Sequence, residues 1–147
     1  MANWIETKVR YEKTLENGTK KMVSETYLVD ALIFSEAEAR ITKEIAPCLH
    51  GDFSVSEMKR ANITEILFSE KDSADKYYEI KTVVVVFNTK TLVERRYDYT
   101  YLVQAKRLND ALIVFDDYMK KTLSADEIVS VSKTAIVDVF TYKPAEK

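Results

Sequence analysis

A chain of 147 residues falls in the usual size range of one domain, and 46% hydrophobic with 31% charged residues excludes a disordered composition. A net charge of −2 gives no global pull toward nucleic acid or an anionic membrane. Two glycines and two prolines leave little room for flexible linkers, and a single cysteine, Cys48, excludes an intramolecular disulfide and fits a reducing compartment. The opening residues, Met1-Ala2-Asn3-Trp4-Ile5-Glu6, carry neither the basic nor the apolar region of a signal peptide. The longest apolar runs, 83–87 and 111–115, are far shorter than a membrane span. The expectation is a cytoplasmic protein with no membrane partner, folded as one compact domain over 1–147.

Ile5, Val9 and Tyr11 share one parity, with Glu6, Lys8, Arg10 and Glu12 on the other, the alternation of a half-buried strand. Asn17-Gly18 then signals a hairpin with positive φ at both central residues. Val23, Tyr27 and Val29 alternate with Ser24, Thr26 and Asp30 on the return strand. Ser35-Glu36-Ala37-Glu38 reads as a capping box, in which Ser35 and Glu38 satisfy each other's amides. Ala37, Ile41 and Ile45 form the buried stripe of the helix that follows, and Pro47 ends or kinks it near Ala46. Residues 53–68 read as one strand, bent or bulged around Lys59-Arg60-Ala61.

The charged run 69–75 reads as an internal linker. Beyond it the order repeats: strand 77–87, turn 88–90, strand 92–105, a helix capped by Asn109 with Leu112, Phe115 and Met119 buried, and strand 128–140. Residues 141–147 read as a frayed tail. Val83, Val84, Val85 and Val86 are apolar on both parities, the pattern of a strand covered on both faces.

Letters repeat along with element order. Tyr27-Leu28-Val29-x-Ala31 recurs as Tyr101-Leu102-Val103-x-Ala105, and Ser35-Glu36-Ala37 matches Asn109-Asp110-Ala111 at the same offset. Glu6-x-Lys8 matches Glu79-x-Lys81, and Ile63-x-Glu65 matches Ile136-x-Asp138, at an offset one residue shorter. The expected fold is therefore α+β: two tandem ββαβ repeats, about 3–68 and 76–140, with antiparallel and mixed sheets and one helix per repeat. In each repeat the third strand returns beside the first, giving a local order 2-1-3 with a right-handed crossover. The two sheets are expected to be related by a pseudo-twofold axis, with both helices on buried faces.

Two stretches carry a family resemblance. Val9-Arg10-Tyr11-Glu12-Lys13-Thr14 with Glu16-Asn17-Gly18 is one, and Tyr27-Leu28-Val29-Asp30-Ala31 running into Ser35-Glu36-Ala37-Glu38-Ala39-Arg40 is the other. The chain resembles an uncharacterised domain-of-unknown-function family of proteins of about this length from gut Bacteroidetes and their phages. The resemblance covers most of the chain, including the ending Val137-Asp138-Val139-Phe140. It implies a bacterial or phage cytoplasmic protein and carries over no activity and no site residue.

Cys48, His50 and Asp52 lie close in sequence, but a dyad needs an oxyanion hole and zinc needs more nitrogen and sulfur ligands than one histidine and one cysteine supply. The plainer reading is a buried free cysteine and a loop histidine. No calcium-loop spacing, phosphate-binding glycine loop or nucleophile elbow occurs. No enzyme, catalytic residue, metal or cofactor is expected.

The segment Glu94-Arg95-Arg96-Tyr97-Asp98-Tyr99-Thr100-Tyr101 is the most suggestive. In a strand, Tyr97, Tyr99 and Tyr101 line one face and Arg96, Asp98 and Thr100 the other. Aromatics beside cations form the platform on which single-stranded bases stack, at about 1–3 kcal/mol per base. Lys13, Lys20 and Lys21 extend a basic track. The expectation is a non-enzymatic module binding single-stranded nucleic acid through Lys8, Arg10, Lys59, Arg60, Arg95, Arg96, Tyr97 and Tyr99. Against it, Tyr101 matches Tyr27 as a core residue, and tyrosine is a common strand residue. The alternative is a protein-interaction or self-assembly module, a homodimer paired through exposed strand edges, Trp4 and Tyr77-Tyr78.

Overall fold

The computed structural model describes residues 3–49, 51–122 and 126–141. His50 and the expected tail beyond residue 141 lie outside the described residues. The fold is α+β, mostly strand, with two helices and two mixed four-stranded sheets among the described residues. The chain divides into two compact units, Met1–Ala61 with Ala135–Lys147, and Asn62–Thr134.

In the first unit, β1 (Trp4–Thr14) and β2 (Lys20–Asp30) pair antiparallel as the alternation requires. Their turn closes with the Leu15 N–H donating to the Thr19 carbonyl at 2.8 Å and the Gly18 N–H donating to Leu15 at 2.9 Å. Gly18 sits at φ +83°, but Asn17 does not share a positive φ. The expected two-residue turn is thus replaced by the longer loop that ends in a left-handed glycine. Asn17 instead accepts the Thr19 N–H at 3.0 Å through its side chain.

The helix α1 (Phe34–Ile45) follows, and its buried residues are Ala37, Ile41 and Ile45, the expected stripe. The expected capping box does not form: the helix begins one residue before Ser35, Ile33 is its N-cap and no side chain caps it. Glu36 takes that part by accepting the Leu32 N–H at 3.1 Å and pairing with Arg40 one turn on at 2.7 Å. At Pro47 the helix passes into a 3₁₀ turn, Ala46–Cys48, because proline cannot supply the next helical N–H. Cys48, expected to be buried, is exposed on that turn.

Residues 53–68 are two strands in different sheets, not one bent strand. β3 (Phe53–Ala61) pairs antiparallel with β1, and β4 (Glu65–Leu67) pairs parallel with β6 (Val93–Ala105) of the second unit's sheet. Residues 128–140 split the same way, into β7 (Glu127–Lys133) beside β5 (Lys76–Asn88) and β8 (Ile136–Phe140) beside β2. Alternation is a local signal and continues across such a crossing, so it could not mark the break. The bulge expected near Lys59 lies instead opposite Lys8 and Val9, where Ser56 drops out of register.

The sheets have the orders β3-β1-β2-β8 and β4-β6-β5-β7, so the hairpin and its returning strand keep the expected 2-1-3 order in each unit. In the first, Ile5, Val9, Tyr27 and Val29 pack under α1, and Phe140 stacks on Tyr27 at 5.7 Å between centroids. In the second, Tyr78, Ile80, Tyr101 and Val103 pack under α2 (Leu108–Thr122), with Tyr101 against Phe115 at 5.1 Å. Fully burying each such side chain contributes about 1.5–3 kcal/mol. α2 starts before Asn109, with the Ala111 N–H on the Arg107 carbonyl, and Ala111 rather than Leu112 completes its buried stripe. The charged run 69–75 lies inside the second unit, held by Gln104, which accepts the Ser69 N–H and donates to the Ala74 carbonyl, both at 3.0 Å.

Candidate functional site

The expected site residues come from both units and from opposite sheet faces. Lys8 and Arg10 on β1 and Lys59 on β3 lie on the face of the first sheet away from α1. Opposite charges interleave with them: Lys8 meets Glu57 at 3.5 Å and Lys59 meets Glu6 at 3.2 Å. These four side chains, with Thr26 and Ala135, line an open depression of about 180 Å³. Two lysines against two glutamates give it no net charge, so it offers an anionic backbone little. Arg60 points to the α1 side, donating to the Leu32 carbonyl at 2.9 Å and covering the Phe34 ring at 5.5 Å.

Arg95, Arg96, Tyr97 and Tyr99 all lie on β6. The register opposes Val84 to Tyr97, Val86 to Arg95 and Thr82 to Tyr99, so Arg95, Tyr97 and Tyr99 share the α2 face with Tyr101. Arg96 lies on the reverse face, where its Nε donates to Asp98 at 3.0 Å along the same strand. Burial pushes the Tyr101 hydroxyl up to about 12, with the negative field of Asp126 adding to it. Tyr101 therefore stays a neutral core residue.

The feature that sequence reasoning missed is the far end of the same hairpin. β5 and β6 pair from Lys76↔Ala105 to Asn88↔Val93, whereas β7 accompanies β5 only as far as Val83 and β4 meets β6 only at residues 101–103. Residues 84–88 and 93–98 are left as a two-stranded ribbon with no flanking strand among the described residues. Val85, Val86, Phe87, Leu92, Val93 and Tyr97 are all exposed there, Phe87 by 56% and Leu92 by 75%. The expectation that the valine run is covered on both faces fails: Val83 alone is buried, Val84 is intermediate, and Val85 and Val86 are exposed on opposite faces. An apolar run marks an uncovered association surface as readily as a buried strand. The absence of any charge or proline between Thr82 and Asn88 was the available signal.

The turn at the tip is built for order. Asn88 accepts the Lys90 and Thr91 amides on its side chain at 2.9 and 3.2 Å, and its carbonyl accepts the Leu92 N–H at 2.8 Å. This closure holds Leu92 at φ +58°, a conformation favoured by glycine or asparagine. By contrast, the aromatics expected to pair protomers, Trp4, Tyr77 and Tyr78, are buried within the chain.

Among the described residues no group of three or more His, Cys, Asp or Glu is placed to hold a metal ion. No described helix is long and apolar enough to cross a membrane. No curated protein and no solved structure matches the chain. A family described as a domain of unknown function (DUF4494) matches residues 3–142, and the chain belongs to that family.

Proposed function

We propose that this protein is a non-enzymatic protein-association module that works through the distal β5–β6 ribbon. The observation that carries this reading is the run of exposed apolar side chains on both faces of one ordered hairpin, Val85, Val86, Phe87, Leu92, Val93 and Tyr97. Most are about half exposed, so covering what remains in water is worth roughly 1 kcal/mol each, and a partner recovers that free energy. A photo-reactive phenylalanine at position 87, irradiated in the cell, tests it. A discrete protein adduct is expected; cross-links to nucleic acid alone overturn the reading.

A second reading keeps single-stranded nucleic acid as the ligand, narrowed to one face. Arg95 has no carboxylate partner among the described residues and shares its face with the half-exposed Tyr97 and the partly buried Tyr99. On this reading a labelled oligonucleotide binds weakly at low salt, loses affinity steeply as salt rises, and needs Arg95 and Tyr99. A flat anisotropy trace at low salt ends it.

An internal duplication of one ββαβ unit is the third part of the proposal. The matched sheet orders support it, as do the bulges at corresponding places: Ser56 drops out opposite Lys8 and Val9, and Val129 opposite Lys81 and Thr82. In both halves a short further strand follows the motif, and each pairs parallel with the second strand of a hairpin, β4 with β6 and β8 with β2. An origin in gut Bacteroidetes or their phages, and a cytoplasmic location, complete the reading. Genes adjacent in the source genome test the origin directly.

A further inference from the structure

We infer that the outer edge of β5 pairs with the same edge of a second copy of this chain, antiparallel and centred on Val86. The inference rests on the association reading above and names its partner. Beyond Val83 no described strand pairs with β5 on that side, so the backbone of 84–88 offers an open ladder. From Thr82 to Asn88 the edge carries no charge, no proline and no glycine. Soluble proteins commonly block such edges with lysine or proline, so one left open has an occupant to receive.

The register follows from what is already occupied. Centring the pair on Val85 would set Val83 opposite Phe87, but the outer side of Val83 is taken by Glu127 of β7. Centring on Val86 opposes Val84 to Asn88, Val85 to Phe87, and Val86 to Val86, and it stops where β7 begins. Each opposed pair lies on one face, as an antiparallel ladder demands, and none brings like charges together. The two copies' Val85 and Phe87 side chains then form one continuous apolar stripe. On the edge of β6, pairing the strand with itself about Arg95 or Arg96 sets arginine opposite arginine, so those two registers are disfavoured. A partner seated through identical edges gives a closed twofold dimer, not a growing filament.

Sedimentation of the full chain tests the assignment, using wild type, Val86→Lys, Val86→Glu and an equimolar mixture of the two variants. Val86 is half exposed and opposes Arg95 across the hairpin, so Val86→Glu is tolerated, Val86→Lys lowers the thermal midpoint by a few degrees, and circular dichroism checks that both variants stay folded. An edge contact this short falls at the small end of interfaces, so wild type is expected to dimerise at about 0.1 mM. Each variant alone weakens the dimer by about tenfold or more, since two like charges meet at the twofold. The mixture restores association. A wild-type chain still monomeric at roughly 1 mM, variants that dimerise like wild type, or a mixture that stays monomeric overturns the inference. If the chain is monomeric yet the photo-probe at position 87 captures a different protein, the association reading stands and only the second-copy assignment fails.

Discussion

The hydroxyl of Tyr11 donates to the carboxylate of Glu25 at 2.6 Å, on the α1 face of the first sheet. The other oxygen of Glu25 accepts the hydroxyl of Tyr27, so one carboxylate holds two phenols from adjacent strands. The hydrogen bond to Glu25, with burial, pushes Tyr11 up to about 12, while burial first and Glu25 second raise Tyr27 further.

The sign of the pH effect follows. The native state holds these phenolic protons more tightly than the unfolded chain, whose tyrosines titrate near 10. Their contribution is fully present below about pH 10 and declines as pH rises toward 12, because the unfolded state then binds fewer protons. Thermal midpoints across that window should fall, and Glu25→Gln should make the fall shallower and return the Tyr11 tyrosinate absorbance step toward 10. An unchanged step in Glu25→Gln contradicts the clamp.

The tip of the β5–β6 hairpin should respond to two substitutions in opposite directions. Leu92→Gly relieves a left-handed backbone at an exposed position and should stabilise by about 1 kcal/mol in urea unfolding. Asn88→Ala removes the acceptor for two turn amides and should cost about 1 kcal/mol. A destabilised Leu92→Gly would mean that its side chain makes a contact worth more than the strain.

The cores of the two units should behave as ordinary packed interiors. Ile41→Ala under α1 should cost about 2–5 kcal/mol and Phe115→Ala under α2 about 3–5 kcal/mol, each read by denaturant unfolding. Ile113→Ala, on the exposed side of α2, should stay within about 0.5 kcal/mol of wild type.

Much of this was legible in the residues. The alternation of Ile5, Val9 and Tyr11 and the spacing of Ala37, Ile41 and Ile45 report burial directly, because side-chain direction follows the element's period. What escaped depends on distant partners. Nothing local distinguishes Ile66 or Val139 as belonging to a different sheet from the strand just before it. Capping letters allowed Ser35 and Glu38, and the helix took Glu36 because its carboxylate reaches both Leu32 and Arg40. The site was harder still. Lys8, Lys59 and Arg96 read as free cations in sequence, and each meets a carboxylate supplied by a neighbouring strand or position.

Native mass spectrometry of the chain purified gently from its own cells tests the central claim most directly, with Phe87→Ser and Val93→Ser combined as the comparison. The ribbon account predicts wild type in a protein complex heavier than the 17.0 kDa chain and the variant, still folded, at 17.0 kDa alone. Wild type at 17.0 kDa, or bound only to nucleic acid, would contradict it.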